Sequence, residues 1–358
     1  MDFLKKIKQN NETHIVNNKE LNDLMSRSNK VYSSNFNSDV WFERSVFINW
    51  TCAIADCKYC YLSTQNKYDP KTGTKALRSK ASILAEILIC KSMGFKIGYI
   101  TGGLRVEKTE YLIDLMTDVN KILCLDNKVN NKVKMNFGPY SKNIIEKFKP
   151  VISGMGVAIE SFDKELHDYI CPSKPLHALM NTLKVLKENN MKKIITIILG
   201  MGEKRDDVYK VIEKIKEYEI DQVQLCFLKP QEKTVFNEVP APNPEYMAWW
   251  IAKIRIECPK LIIKIALVRE RINDFSLYLK AGANCFSRFL VFKDFNTKFA
   301  KDLEKECKKA NRNLLGNFTK VAKINVEKLV SKLDFDDNLK EKIVIKANEY
   351  YDKLKKGN

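Results

Sequence analysis

Three cysteines lie close together in the stretch TCAIADCKYCYL: Cys52, Cys57 and Cys60, spaced C-x4-C-x2-C. Three thiolates on one tight loop can reach three corners of a single metal centre. On a [4Fe–4S] cluster they would leave the fourth iron open for a substrate or cofactor, as a catalytic zinc site keeps one position free. Two other metal chemistries use similar ligands. Structural zinc would need a fourth Cys or His nearby, but the only histidines are His14, His167 and His177, none of them in the loop. Plant-type ferredoxins pair this spacing with a distant fourth cysteine. Cys90 stands 30 residues after Cys60, but on the expected core face of an amphipathic helix. Of the ten cysteines, the other seven are scattered singly, as small core residues are.

The elements around this loop alternate regularly. Apolar runs at 45–50, 96–100, 133–137, 154–160, 192–199, 221–228 and 261–267 read as strands, with an eighth at 281–285. Helical patterns separate them at 76–93, 108–123, 141–148, 175–190, 206–218, 244–257 and 275–281. Repeated βα units require a parallel sheet with crossover helices. Eight of them predict an α/β fold of the (β/α)8 TIM-barrel type. The rival is an open doubly wound sheet, but no GxGxxG turn opens the chain. In a barrel, the loop after the first strand lies at the C-terminal face, where such folds place their active sites. Residues 1–40 read as an N-terminal extension, 41–298 as the barrel, and 299–358 as Lys/Glu-rich helices laid outside it.

Composition narrows the class. The chain has 358 residues, 45% hydrophobic and 30% charged, which is ordinary for a globular protein. The net charge of +18 (62 basic, 44 acidic) is not gathered in an arm or tail. It favours solubility and anionic ligands and speaks only weakly for nucleic acid. No apolar run approaches the length of a membrane span, and MDFLKKIKQN is no signal segment. A cytoplasmic protein is expected.

Several landmarks together resemble the radical S-adenosylmethionine (SAM) enzymes over about residues 40–290. The usual spacing there is C-x3-C-x2-C, one residue shorter than here. The resemblance implies a [4Fe–4S] cluster on Cys52, Cys57 and Cys60, with SAM as cofactor. It places Tyr59 by the adenine. TGGL (Thr101–Leu104) resembles the motif that holds the SAM amino group; Leu104 replaces the usual acid, leaving the contact to the main chain at Gly102, Gly103 and Leu104. Asn136, at the end of a strand, is a further cofactor candidate. Glu160 and Ser161 end the GVAIES strand, where relatives contact SAM; they read equally well as part of a helix cap with Asp163. A basic residue expected at Leu179 is missing, with Lys174, His177 or Asn181 as stand-ins for the SAM carboxylate contact. Gly200 and Gly202, in ILGMGEKRDD, would let backbone approach the adenine.

The turn AGANC (281–285) resembles the branch that holds biotin synthase, the diiron-hydrogenase maturase and methylornithine synthase. The strands that carry a second cluster's ligands in biotin synthase have no cysteine here. The lengthened loop also resembles the radical SAM protein of [Fe]-hydrogenase guanylylpyridinol-cofactor biosynthesis, whose spacing is longer still. The resemblance implies reductive cleavage of SAM and hydrogen abstraction from a small-molecule substrate, with a reduced ferredoxin- or flavodoxin-type electron donor. Arg269 and Arg288 are candidate clamps for a substrate carboxylate, and Gln224 is a candidate lumen residue. Alternatives are a tRNA-modifying radical SAM enzyme, a methylornithine-synthase-like mutase and a non-catalytic iron–sulfur electron carrier. Trp249 and Trp250 read as packing residues of the outer helices.

Overall fold

The computed structural model describes residues 3–64, 76–125 and 132–356. Eight strands run parallel in the order of the chain: β1 (Asp39–Phe47), β2 (Lys96–Thr101), β3 (Val133–Asn136), β4 (Ile152–Glu160), β5 (Lys192–Leu199), β6 (Gln222–Phe227), β7 (Ile262–Ala266) and β8 (Cys285–Ser287). β1 pairs with both β8 and β2, so the sheet closes into a (β/α)8 barrel. The strands are rich in β-branched residues. β5, KKIITIIL, is apolar along most of its length because crossover helices cover its outer face.

The structure corrects two boundaries. The eighth strand is Cys285–Ser287, and AGAN is the turn before it. Gly282 has φ +111°, and a Cβ there would sit 2.6 Å from Ser28 Oγ and 2.8 Å from Arg255. Ser28 Oγ donates to the Ala281 carbonyl (2.5 Å), the Arg255 guanidinium donates to that of Gly282 (3.0 Å), and Asn284 Oδ1 accepts from the Ile263 N–H (2.8 Å). The motif is a structural joint between the barrel and its outer helices. The second correction concerns residues 299–358, which are not helices alone. A short strand, β9 (Asn313–Leu315), pairs with β1 at Asp39–Trp41.

Two helices precede the barrel, α1 (Phe3–Glu12) and α2 (Asn18–Phe36). α2 lies against the helix Pro244–Glu257, where the buried Trp249 indole donates to Glu20 Oε1 (2.9 Å). Trp250 is buried in the same helix. The C-terminal helix Asp337–Lys356 covers the helix Lys80–Ser92, with the Tyr350 hydroxyl 2.8 Å from Ser82 Oγ. Cys90 is buried in that outer layer. No described helix is long and apolar enough to cross a membrane.

Candidate active site

The cysteine loop leaves β1 at the C-terminal mouth of the barrel and is held on two sides. On one side is the TGGL turn after β2. The Gly103 N–H donates to Asn49 Oδ1 (2.7 Å), the Leu104 N–H to Cys52 Sγ (3.4 Å), and the Ala53 N–H to the Leu104 carbonyl (3.0 Å). A Cβ on Gly103 would lie 1.6 Å from the Thr51 carbonyl oxygen, so only glycine allows this approach. At Gly102 a Cβ would meet the Asn49 side chain at 2.8 Å. The Leu104 side chain points away, onto Gly138. On the other side the Lys58 N–H donates to the Ile170 carbonyl (2.9 Å). There a hydrogen bond to the buried Cys171, together with burial, pushes the Cys57 thiol well above its ordinary range. Cys52 is buried; Cys57 and Cys60 are half-buried.

The second part of the site hangs on Glu160. This residue ends β4 with φ +63°, a conformation that turns its side chain into the mouth. Glu160 Oε1 accepts from the Tyr59 hydroxyl (2.6 Å) and from Lys174 Nζ (2.9 Å). Burial, the largest influence, works against the Lys174 ammonium, but the charge and hydrogen bond of Glu160 together with the neighbouring Cys171 and Cys57 hold its pKa above the usual lysine range. Burial, then the Glu160 charge, pushes the Tyr59 phenol upward. His167 braces the segment through the carbonyls of Ile159 (2.7 Å) and Lys174 (2.8 Å). The two sequence readings of this turn divide between neighbouring residues. Ser161 Oγ accepts from the Asp163 N–H (3.1 Å), and Asp163 caps the helix Lys164–Ile170, while Glu160 faces the site.

The remaining expected residues are dispersed. Gln224 lies deep in the lumen, where its Oε1 accepts from the Tyr99 hydroxyl (2.9 Å). Asn136 stands on β3 against Gly156. Gly200 and Gly202 do adopt left-handed φ values, +94° and +105°, but the space beside them is filled by Pro242 and Ile7. Arg269, just past β7, forms an ion pair with the buried Asp294 and lies over the Phe299 ring, so its charge is already matched. Arg288, just past β8, has neither ion pair nor hydrogen bond among the described residues. Its positive charge reaches the buried Cys226. His177 and Asn181 are exposed on an outer helix, Leu179 is buried in the core, and only Lys174 of the stand-ins faces the site.

Sequence reasoning missed the roof. α1 folds over the β4 and β5 loops: Ile7 packs with Leu166, Ile170, Cys171, Met201 and Phe236, and Cys57, Tyr59 and the lumen residue Ile198 adjoin this cluster. Asn10 and Asn11 donate to the carbonyls of Gly202 (2.7 Å) and Gly200 (2.8 Å). The apolar spacing of Leu4 and Ile7 marks a buried face, but no pattern in it names the surface it covers.

The description "Radical SAM superfamily" matches residues 51–215. An uncharacterized protein of Methanocaldococcus jannaschii is 32% identical over 308 residues, 86% of this chain and 83% of that protein. Biotin synthase from Shewanella denitrificans is 25% identical over 74% of each chain. The chain belongs to the radical SAM superfamily. It falls in the biotin-synthase-like branch. The fold agrees with that of methylornithine synthase (TM-score 0.66, 17% identity, 86% of this chain and 93% of that one). It agrees equally with the FeFe-hydrogenase maturase HydG from Carboxydothermus hydrogenoformans (0.67, 14%, 98% and 89%).

Radical SAM enzymes use a [4Fe–4S] cluster and SAM, and the residues at this mouth fit them. Among the described residues, three buried polar atoms there lack partners: Asn49 Nδ2, Asp56 Oδ1 and Glu160 Oε2. Orphaned polar atoms in a mouth call for a polar guest. Among the described residues, no three His, Cys, Asp or Glu side chains converge on one ion. Thiolates around a single zinc, each about 2.3 Å from it, must crowd together. Structural zinc would also want a fourth Cys or His beside the three thiolates, and the loop holds none.

Proposed function

We propose that Cys52, Cys57 and Cys60 hold the [4Fe–4S] cluster and that SAM lies between the TGGL turn and Glu160. When bound, the two supply a 5′-deoxyadenosyl radical able to abstract hydrogen from a substrate. The chain's own residues do the positioning. The N–H groups of Gly103 and Leu104 are engaged by Asn49 and Cys52, so they fix the loop rather than a ligand. Lys174 has three donors, of which Glu160 takes one. Its ammonium is the cation placed for the SAM carboxylate, the role left open at Leu179. Glu160 Oε2 is the acceptor placed for a ribose hydroxyl or the SAM ammonium. The α1 roof keeps water from the mouth, as a reactive intermediate requires.

The observation that carries this reading is the seating of Cys52 under Leu104, which joins the cysteine loop to the TGGL turn. The substrate is read as a small molecule in the lumen, in a cofactor-biosynthesis step. The guanylylpyridinol cofactor of [Fe]-hydrogenase is the pathway favoured by the lengthened cysteine loop. Ten free cysteines suit a reducing cytoplasm, where a ferredoxin or flavodoxin can donate the electron.

The test is anaerobic reconstitution with iron and sulfide, followed by SAM and dithionite. 5′-Deoxyadenosine that disappears in Cys52→Ala, Cys57→Ala and Cys60→Ala supports the reading. Its absence from protein that holds a four-iron cluster would refute it.

A further inference from the structure

Cys171 lies outside the C-x4-C-x2-C loop in sequence, yet the fold brings it against that loop. It follows the helix Lys164–Ile170 as its cap residue. Its N–H donates to the His167 carbonyl (2.8 Å), and its carbonyl accepts from the Lys174 N–H (3.0 Å). Its side chain is fully buried in the roof cluster with Ile7, Leu166, Met201 and Phe236. Cys57 packs against the same cluster. The bond from the Lys58 N–H to the Ile170 carbonyl (2.9 Å) clamps the residues next to Cys57 and Cys171 together, and the two thiols are in hydrogen-bond contact.

Two thiols can share a proton in either direction. A metal-bound cysteine sulfur has lost its proton. With Cys57 on iron, the donor in this contact is therefore the Cys171 S–H. The charges near Cys57 answer one another: Lys174 and Glu160 form an ion pair (2.9 Å), and the Tyr59 hydroxyl donates to Glu160 (2.6 Å). The Leu104 N–H donates to Cys52 instead (3.4 Å). Around Cys171 the neighbours are apolar, so no water takes the place of the thiol if its proton is removed.

Resting on the reading that Cys57 holds the cluster, we infer that Cys171 is a positioning residue for it: its S–H donates to the iron-bound Cys57 sulfur and raises the cluster's reduction potential. An added electron increases the negative charge on the cluster and its thiolates. Burial under the apolar roof opposes that charge. A hydrogen bond to the sulfur stabilises it, and hydrogen bonds to sulfurs are among the features that set such potentials. In a low-dielectric pocket the bond counts for more than it would in water.

The test compares the parent with Cys171→Val, Cys171→Ala and Cys171→Ser, each reconstituted anaerobically and matched for iron and sulfide. Valine keeps an apolar side chain without the donor, alanine is a second donor-free variant should valine crowd the pocket, and serine keeps a donor. Thermal unfolding of the cluster-free proteins shows which variants fold. Potentials are read from the electron paramagnetic resonance signal of the reduced cluster in a mediated redox titration. The donor-free variants should shift the one-electron equilibrium about tenfold toward the oxidised cluster, a potential about 59 mV more negative. Serine should return it at least halfway. The parent's reduced cluster should also show a coupling to an exchangeable proton that the donor-free variants lack. A folded donor-free variant at the parent's potential, or a serine variant no nearer the parent than valine or alanine, would overturn the inference. So would folded variants that no longer take up iron, because Cys171 would then be a ligand and not a donor. A parent protein that takes up no four-iron cluster overturns the radical SAM reading, and this inference with it.

Discussion

Lys174 Nζ and Glu160 Oε1 lie 2.9 Å apart with both side chains only 4% exposed, forming an ion pair inside the mouth. A buried charge left without its partner is far more costly than the intact pair is stabilising. Lys174→Met should therefore destabilise the cluster-free protein by about 3–5 kcal/mol, and Glu160→Gln by a similar order. The double variant Lys174→Met/Glu160→Leu should recover much of the loss. SAM affinity should fall in all three, since each lacks the cation, the free carboxylate oxygen or both. Urea unfolding and SAM dialysis read the two effects separately. Single variants as stable as the parent would remove the pair from the account of the mouth.

Gly103 tests the seat of the cysteine loop. A methyl group there cannot be absorbed by a flexible side chain, because it meets the Thr51 backbone at 1.6 Å. Gly103→Ala should displace the loop and lose most of the iron taken up on reconstitution. Gly94→Ala is the control: nothing lies within 4 Å of its Cβ, and it is far from the loop, though its φ of +80° imposes some strain. Iron and sulfide assays after desalting make the comparison. Full iron loading in Gly103→Ala would mean that the TGGL turn does not hold the loop.

Glu203 gives the roof a pH dependence. Burial pushes its carboxyl up to about 7, against the pull of the Gly200 and Met201 N–H groups (2.8 and 3.1 Å), and Asp207 adds to the rise. The folded protein therefore keeps this proton up to about pH 7, whereas an unfolded glutamate releases it near 4.5. The stability it contributes is present at low pH and is lost as pH rises through that window. The span is on the order of 3 kcal/mol, from 4.5 to about 7 at 1.36 kcal/mol per pH unit. His14, stacked on Tyr246 and donating to the Glu203 carbonyl (2.9 Å), works the other way. Burial lowers its pKa, so it destabilises the fold below its ordinary 6.5. Glu203 Oε1 lies 3.8 Å from His14 Nε2, so the two titrations are separated in a His14→Gln background, by subtracting the unfolding free energy with Glu203 from that with Glu203→Gln. The difference should grow from pH 5 to pH 7 and then level off. A difference independent of pH would place the Glu203 pKa near its ordinary value.

Local patterns carried the barrel and the cysteine loop because both depend on short-range rules. Alternating β-branched runs and helical periods specify βα units, and thiolate spacing is local by nature. What escaped depends on distant partners. AGAN reads as a marker of the branch, yet its glycine answers to Ser28 and Arg255, which lie far from it in sequence. Arg269 looked free until the fold brought Asp294 beside it. The choice between Glu160 and Ser161 turned on one backbone angle that no residue type announces. β9 is only three residues long, too short for an alternation to show.

The α1 roof yields the final prediction. Asn10 and Asn11 tie it to the β5 loop, and Ile7, 1% exposed, fills the space beside Gly202. Ile7→Asp places an unpaired carboxylate in that apolar cluster, an unfavourable burial that opening of the helix relieves. Asn10→Ala/Asn11→Ala removes two hydrogen bonds while keeping the apolar contact, a milder loss of about 1 kcal/mol for each bond. The barrel core does not depend on α1, so both variants should fold and load iron. Their clusters should bleach faster in air than the parent's, Ile7→Asp more than the double alanine variant, and protease should cut α1 first. Bleaching at the parent's rate with α1 already cleaved would mean that the helix does not shield the mouth. Loss of iron loading in the double alanine variant would instead mean that α1 helps form the cluster site itself.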